Sequence, residues 1–455
     1  MSETADPLAS LVAAAADLRF EHLPDDVVSV ASRNILDTVG VALAGATEPV
    51  TEIMRRALMG GDTGSGRCRV WGTATTGSAI DAATINGTAA HALDFDDWAP
   101  GSGVHPSAPI VPAVLAAAEE LGSSGSAVLT AYLAGYEIQE RLGLSVSPSH
   151  YELGFHTTGT IGTFGAAVAV AHLSGASPRQ MSTALRVAAT QASGLKSMFG
   201  SMGKPMHAGR AAAAGLLSAR VAMHGFVASN DSVFGAQGFT DTHSTGRDDA
   251  WLRTGFDRWL VRETRIKAYA ACFGTHAAIG AALSLREEPS FDAATIERID
   301  LDIPEICVGV CTIEAPTTVL EIKFSIAFVI ASALVHGAAG VSQFTEASLA
   351  DDAVQRLTRR VKLHPNDWMG KTRTDAQVTY AGGRTASVSA DAEEIWAALS
   401  DEVRIDHVRN KFVSLASPVI TRARADRLAG VILGLSHCPD IEAVTRELVP
   451  RPDPR

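Results

Sequence analysis

Basic residues are scarce in this chain: 38 lysines and arginines stand against 50 aspartates and glutamates, and the net charge is -12. No Lys/Arg cluster offers a phosphate-tracking surface, so a nucleic-acid partner is not expected. Charge of either sign is thin, at 19% of residues against 46% hydrophobic, which with 455 residues predicts a large buried core and two or three domains. No uninterrupted apolar run approaches the roughly 20 residues needed to cross a bilayer, so no membrane partner is expected. Ala13 to Ala16 lies between Asp6 and Asp17, without the basic and long apolar regions of a secretory signal. The five cysteines form no disulfide framework, and a cytoplasmic location is the expectation. Cys307 and Cys311 lack two further ligands and read as buried thiols. Other absences exclude chemistry. The G-T-I-G-T-F-G run at Gly159 to Gly165 has no preceding strand and no following Lys-Ser/Thr, which argues against a phosphate loop; a G-x-S-x-G elbow and a zincin spacing are also missing.

What is present is mostly helix. Pro24 and Asp25 open a segment to Gly45 with apolar residues at Val27, Val30, Ala31, Ile35, Val39 and Leu43, the spacing of an amphipathic helix. After a β-like run at Cys68 to Trp71, helices are expected from near Ser78, at Pro109 to Leu121, Ala127 to Gly143 and Gly159 to Leu173. Alanine and glycine dominate from Ile80 to Gly225, so helices there should pack closely. Turns fill Gly225 to Arg258. Branched and alternating runs at Ile299 to Val310, Arg359 to Leu363 and Gln377 to Ser389 then predict strands, with Gly382-Gly383 as a hairpin turn and Ser325 to Gly337 as a helix. Val408 to Leu415 and Thr421 to Leu435 return to helix, and Arg451 to Arg455 is a polar tail. The expected fold is mainly α: a large all-helical domain built from both chain ends, 1–261 and 403–455, with an inserted α+β domain at 262–402.

Four polar stretches interrupt this apolar chain. The first, His91 to Pro106, carries Asp94, Asp96, Asp97, His91 and His105 between two apolar helices; the bland alternative is aspartates that cap backbone N–H groups. The second places His156 with Thr157, Thr158 and Thr160 before a helix, where a threonine can cap and the free N–H groups can seat a carboxylate. The third sets Lys204, His207 and Arg210 at a helix start, against the helix dipole, and so calls for an anion. The fourth gathers Lys267, Tyr269, Cys272 and His276 among alanine and glycine. Lysines and helix N–H groups hold carboxylates, and histidine moves protons near neutral pH. The chemistry these suit is proton abstraction next to a carboxylate of a small di- or tricarboxylic acid. Metal binding by His91, Asp94 and His105 is the less favoured reading, and no cofactor and no metal are expected.

The motifs I-L-D-T-V-G at Ile35 to Gly40, H-x-L-D-F-D-D at His91 to Asp97, H-P-S at His105 to Ser107, F-H-x-T-G-T at Phe155 to Thr160, K-x-x-H-x-G-R-A at Lys204 to Ala211, K-x-Y-x-x-C-x-x-T-H at Lys267 to His276 and E-x-K-F-S at Glu321 to Ser325 follow one another in order. In this set the sequence resembles the MmgE/PrpD family, which includes 2-methylcitrate dehydratase, cis-aconitate decarboxylase and iminodisuccinate epimerase. The resemblance implies an all-helical domain from both chain ends, an inserted α+β domain, a site between them, a homodimer and no cofactor. It carries the catalytic and substrate-binding set onto Asp94, His105, His156, Lys204 and Lys267. Cys272 stands where the decarboxylase branch has histidine, and Trp98 where dehydratases and decarboxylases usually have threonine. Cys272 joins the expected catalytic set, and His207, Arg210, Tyr269 and His276 join Lys204 and Lys267 in substrate binding. The expected function is a lyase resembling 2-methylcitrate dehydratase, with His156 or Asp94 as base and His105 fixing the loop and supplying a proton. Alternatives are an iminodisuccinate-type epimerase, a cis-aconitate decarboxylase-like enzyme and a non-enzymatic dimeric binding protein.

Overall fold

In the computed structural model, residues 9–60 and 66–450 are described, and the polar tail Arg451 to Arg455 lies outside them. Helix Asp25–Gly45 runs through the middle of the helical body. It is not amphipathic as its spacing suggested, because every residue from Val30 to Leu43 is buried. Helices Ala79–Ala92, Asp401–Ile420 and Arg422–Leu433 surround it and cover both faces. Among the described residues it is the one helix long and apolar enough to cross a membrane, and 83% of its most apolar window is buried inside the protein. Two of its polar side chains meet distant partners there: Asn34 Nδ2 donates to the Tyr132 hydroxyl at 3.1 Å, and Asp37 lies 2.7 Å from the Lys411 ammonium.

Helix Ala79–Ala92 begins at Ser78, whose hydroxyl accepts the Asp81 N–H at 3.1 Å, an N-cap. It crosses helix Gly203–Met223 at two glycines. A Cβ at Gly209 would stand 2.1 Å from the Thr84 carbonyl oxygen, and one at Gly87 2.9 Å from Gly209 Cα. Only hydrogen fits at either place, so the small-residue composition translates into a close helix pair. Helices Ser107–Leu121, Gly125–Val146 and Thr157–Leu173 complete this packing.

The inserted region carries a four-stranded sheet in the order Val361–Asn366, Ile296–Pro304, Arg373–Tyr380, Thr385–Asp391. The first pair is parallel and the other two antiparallel. The strand expected to reach Val310 ends at Pro304, whose ring removes a ladder donor, and a 3-10 turn Glu305–Cys307 follows. Gly382 and Gly383 both have φ of +83°, the double left-handed turn that joins two strands by a tight hairpin. Ile296, Ile299, Leu301 and Ile303 share one apolar cluster with Ile279 and Leu285 of helix His276–Arg286 and Val329 and Leu334 of helix Ile326–His336, while Glu297 and Arg298 are exposed.

Two features of the core position the site. Val408, Phe412, Ile420 and Leu428 share one apolar cluster with Val27, Leu36, Val111 and Tyr132, so the C-terminal helices rest on the N-terminal body. Leu93 and Phe95, just past helix Ala79–Ala92, are buried instead with Ile299, Val329 and Leu334 of the inserted region. The acidic stretch therefore plugs from one unit into the other.

Candidate active site

Helix Ala79–Ala92 ends against this junction, and Asp94 adopts a left-handed backbone with φ of +51°. That turn aims its carboxylate at two lysines. Oδ1 of Asp94 accepts from Lys204 Nζ and from Lys267 Nζ, each at 2.6 Å. One anion opposite the Lys204 cluster is thus the protein's own Asp94. Burial alone would raise the Asp94 carboxyl, but the Lys204 and Lys267 ammonium groups outweigh it and hold the group well below the usual carboxylate range. Asp96 behaves alike: burial opposes its charge, yet His91 Nδ1 at 2.7 Å and His105 Nδ1 at 3.3 Å keep it ionised. Asp97 is the opposite case. Burial pushes it far up, the Ser107 N–H at 3.1 Å and hydroxyl do not compensate, and Asp96 and Asp37 add repulsion.

The threonines after His156 do not cap helix Thr157–Leu173 as expected; His156 occupies the cap position and makes no side-chain cap bond. They tether the neighbouring loop. Thr157 Oγ1 donates to the Gly103 carbonyl at 2.7 Å, and Thr158 Oγ1 accepts the His105 backbone N–H at 3.1 Å. The Gly159 and Thr160 N–H groups of this first turn donate to the His156 carbonyl at 2.9 and 3.2 Å. His156 Nδ1 lies 3.0 Å from His207 Nδ1, and the His91 ring stacks on His156 at 5.5 Å. Burial, reinforced by His91 and Lys204, holds His156 well below the usual histidine range. Burial lowers His105 to about 3 against the pull of Asp96, and His207 to about 4. All three are therefore neutral imidazoles at pH 7. Buried atoms without a hydrogen-bond partner gather here: Asp94 Oδ2, Asp96 Oδ1, His91 Nε2, His105 Nδ1 and His156 Nε2.

A cleft of about 210 Å³ opens onto this cluster. His105, His156, Lys204 and Cys272, all expected from sequence, line it together with Trp98, Tyr151 and Phe199. Ile306, Lys371, Thr372 and Glu393 close it from the inserted region. Trp98 stacks on Phe273 with centroids 4.1 Å apart, and the strand pair Asp97–Trp98 with Arg265–Ile266 fixes that wall. Asp94 and Lys267 stand one layer behind the lining, as does His207 behind His156. Tyr269 and His276 pack on each other at 5.1 Å outside the lining, and burial lowers His276 to about 3. Arg210 is exposed on helix Gly203–Met223 and outside the lining. Six residues at 3.6 per turn rotate it about 240° from Lys204, whereas His207 returns to nearly the same face.

Cys272 is drawn down to about 7, first by a hydrogen bond with Cys311 and then by Lys204 and Lys267, against its burial. Cys307 and Cys311 are buried and also line the cleft. His91, Asp94, Asp96 and His105 offer ligand atoms within 4.8 Å of one another, a set of donors able to hold a cation, although two ammonium groups already compensate Asp94. A wider groove, about 770 Å³ on the outer sheet face beside the Arg298–Asp300 ion pair, contains none of these groups. His91 and Asp96 belong to the stretch His91 to Pro106 but not to the set of site residues expected from sequence. Tyr151, Phe199, Lys371, Thr372 and Glu393 carried no local signal, being ordinary residues of separate segments.

Residues 9–252 match the MmgE/PrpD N-terminal domain and residues 269–435 the MmgE/PrpD C-terminal domain. The cis-aconitate decarboxylase of Mus musculus is 28% identical over 452 residues, covering 95% of this chain and 91% of that protein. Cis-aconitate decarboxylases of Homo sapiens and Aspergillus terreus are each 27% identical, over 94% of this chain and 91% and 92% of theirs. With both domains matched in order over most of its length, the chain belongs to the MmgE/PrpD family, enzymes with lyase or isomerase activity on small carboxylic acids.

Proposed function

We propose that the protein is a cofactor-independent lyase that decarboxylates a small unsaturated tricarboxylate of the cis-aconitate kind. The observation that carries this reading is that the Lys204 ammonium lines one cleft together with the imidazoles of His105 and His156, the Nε2 of His156 having no hydrogen-bond partner. The relatives' names favour decarboxylation over the 2-methylcitrate-type dehydration expected from sequence. In the reaction the bond to one carboxylate breaks and CO2 leaves. Its electron pair forms a new double bond, the existing double bond shifts, and the far carbon takes a proton. Lys204, backed by Lys267, holds the retained carboxylates.

The proton comes from an imidazolium, His105 or His156. Neither is charged in the free protein, because burial opposes it. A trianionic substrate beside them reverses that field and raises their affinity for a proton, so substrate binding and proton uptake are linked. Asp94, held ionised by two lysines, serves as their counterion rather than as the base. Subunit pairing into a homodimer belongs to the same proposal.

The test is incubation with cis-aconitate, 2-methylcitrate and iminodisuccinate in deuterium oxide, followed by NMR and CO2 detection. CO2 release with one deuterium on the product carbon is expected. Water loss from the hydroxy acid without CO2 makes the protein a dehydratase. Deuterium with inverted configuration makes it an epimerase, and no turnover of any of the three overturns the reading.

A further inference from the structure

Three consecutive carbonyl groups at the left-handed turn are each taken by a lysine from a different part of the chain. Lys323 Nζ donates to the Leu93 carbonyl at 2.9 Å, Lys267 Nζ to that of Asp94 at 2.9 Å, and Lys411 Nζ to that of Phe95 at 2.6 Å. Lys323 follows helix Val319–Ile322 of the inserted region; Lys411 lies within the C-terminal helix Asp401–Ile420. Neither lines the cleft, and both are buried. Lys323 also accepts the Cys272 N–H with its own carbonyl at 3.1 Å, and Lys411 donates to the Lys267 carbonyl at 3.1 Å. Each thus touches the backbone of a cleft-wall residue or of an anion-holding lysine.

The physical need is clear. Leu93 caps a helix that ends in the interior, where the last carbonyls lack helical partners and the negative end of the dipole attracts cations, and the buried carbonyls of Asp94 and Phe95 just beyond it need donors as well. A non-glycine residue at positive φ adds strain that the surroundings must overcome. Neutral donors would suffice to satisfy the carbonyls at less cost of burial. Ammonium groups make stronger, charge-assisted bonds and so hold the turn more stiffly.

We infer that Lys323 and Lys411 are positioning residues: they fix the Leu93 to Phe95 turn so that the Asp94 carboxylate stands between Lys204 and Lys267. This rests on the reading of the Asp94–lysine cluster as the substrate site. The clamp joins the N-terminal body, the inserted region and the C-terminal helix at one turn, so site geometry and the seating of the inserted region are linked.

The experiment measures cis-aconitate turnover by Lys323→Met and by a second variant, Asp37→Asn with Lys411→Met, which leaves no unpaired buried carboxylate. Loss of placement by an ångström is expected to lower kcat about 10- to 100-fold. KM should stay close to wild type, because neither side chain lines the cleft. In an Asp94→Asn background Lys323→Met should cost less than about twofold further, as an effect transmitted through Asp94 must. Hydrogen exchange in the segment from Ala92 to Trp98 should quicken in Lys323→Met. Rates and exchange like wild type, a loss carried by KM, or full additivity with Asp94→Asn would each overturn the inference. A wild-type rate in Asp94→Asn alone, with faster exchange in Lys323→Met, would instead remove the assigned role of Asp94 and leave the clamp standing.

Discussion

The ammonium of Lys204 stands 2.6 Å from Oδ1 of Asp94, across 110 residues of chain, and the pair is almost wholly buried. A lysine that meets substrate at the cleft is thereby neutralised from behind by a carboxylate that does not line it. The free protein can bury its cation, and Lys267, on the same carboxylate oxygen, shares that compensation.

Lys204→Met is expected to lose about 2 to 4 kcal/mol of substrate interaction, or roughly 30- to 1000-fold in kcat/KM, because a buried anion would lose a charge-assisted partner. Steady-state kinetics with cis-aconitate checks this, and a near-wild-type value would refute carboxylate binding by Lys204.

Substrate binding should take up protons. Titration calorimetry of an unreactive tricarboxylate at pH 7.5, in buffers of different ionisation enthalpy, is expected to show net uptake. His156→Gln and His105→Gln should each lower kcat by about 10²- to 10⁴-fold, the usual worth of a positioned proton donor. Binding without proton exchange would remove the imidazolium donor.

Glu140, whose carboxyl accepts from Ser102 at 2.6 Å, is raised to about 8 by burial from an ordinary value of 4.5. Between pH 4.5 and about 8 the folded protein keeps a proton that the unfolded chain releases, so stability from this group falls as pH rises through that window. Glu140→Gln, which mimics the neutral acid, should therefore gain on wild type by roughly 3 to 5 kcal/mol between pH 5 and 8. Chemical denaturation at the two pH values measures it; a pH-independent difference would contradict the buried neutral acid.

Gly209→Ala should cost about 1 to 3 kcal/mol or more, since its Cβ would meet backbone rather than a flexible side chain. Because the same crossing brings Lys204 and His207 toward His91, activity should fall along with Tm. Unchanged Tm would show that the two helices can separate freely.

Exhaustive chelation is expected to leave kcat unchanged. Loss of activity, restored by one divalent ion, would instead assign His91, Asp94, Asp96 and His105 as its ligands.

The sequence by itself determined the elements and the stretches that carry chemistry. Periodicity marks the helices, Gly382-Gly383 the hairpin, and the costly polar residues at His91 to Pro106, His156, Lys204 and Lys267 the candidate site. These signals are local, and local physics suffices for them. What only tertiary structure decided is which groups share a surface and what charge each bears. The spacing of Lys204, His207 and Arg210 suggested one cluster, but helix rotation leaves Arg210 outside the lining. Helix Asp25–Gly45 has the spacing of a surface helix and becomes a core helix because the distant segment 401–433 covers its second face. Asp94 and Asp97 are the same residue type three positions apart, one held well below the usual carboxylate range and one pushed well above it. Two lysines reach the first, from 110 and 173 residues away, and only Ser107 reaches the second. Partners that far along the chain leave no periodic trace, so the protonation states of the site follow from packing alone.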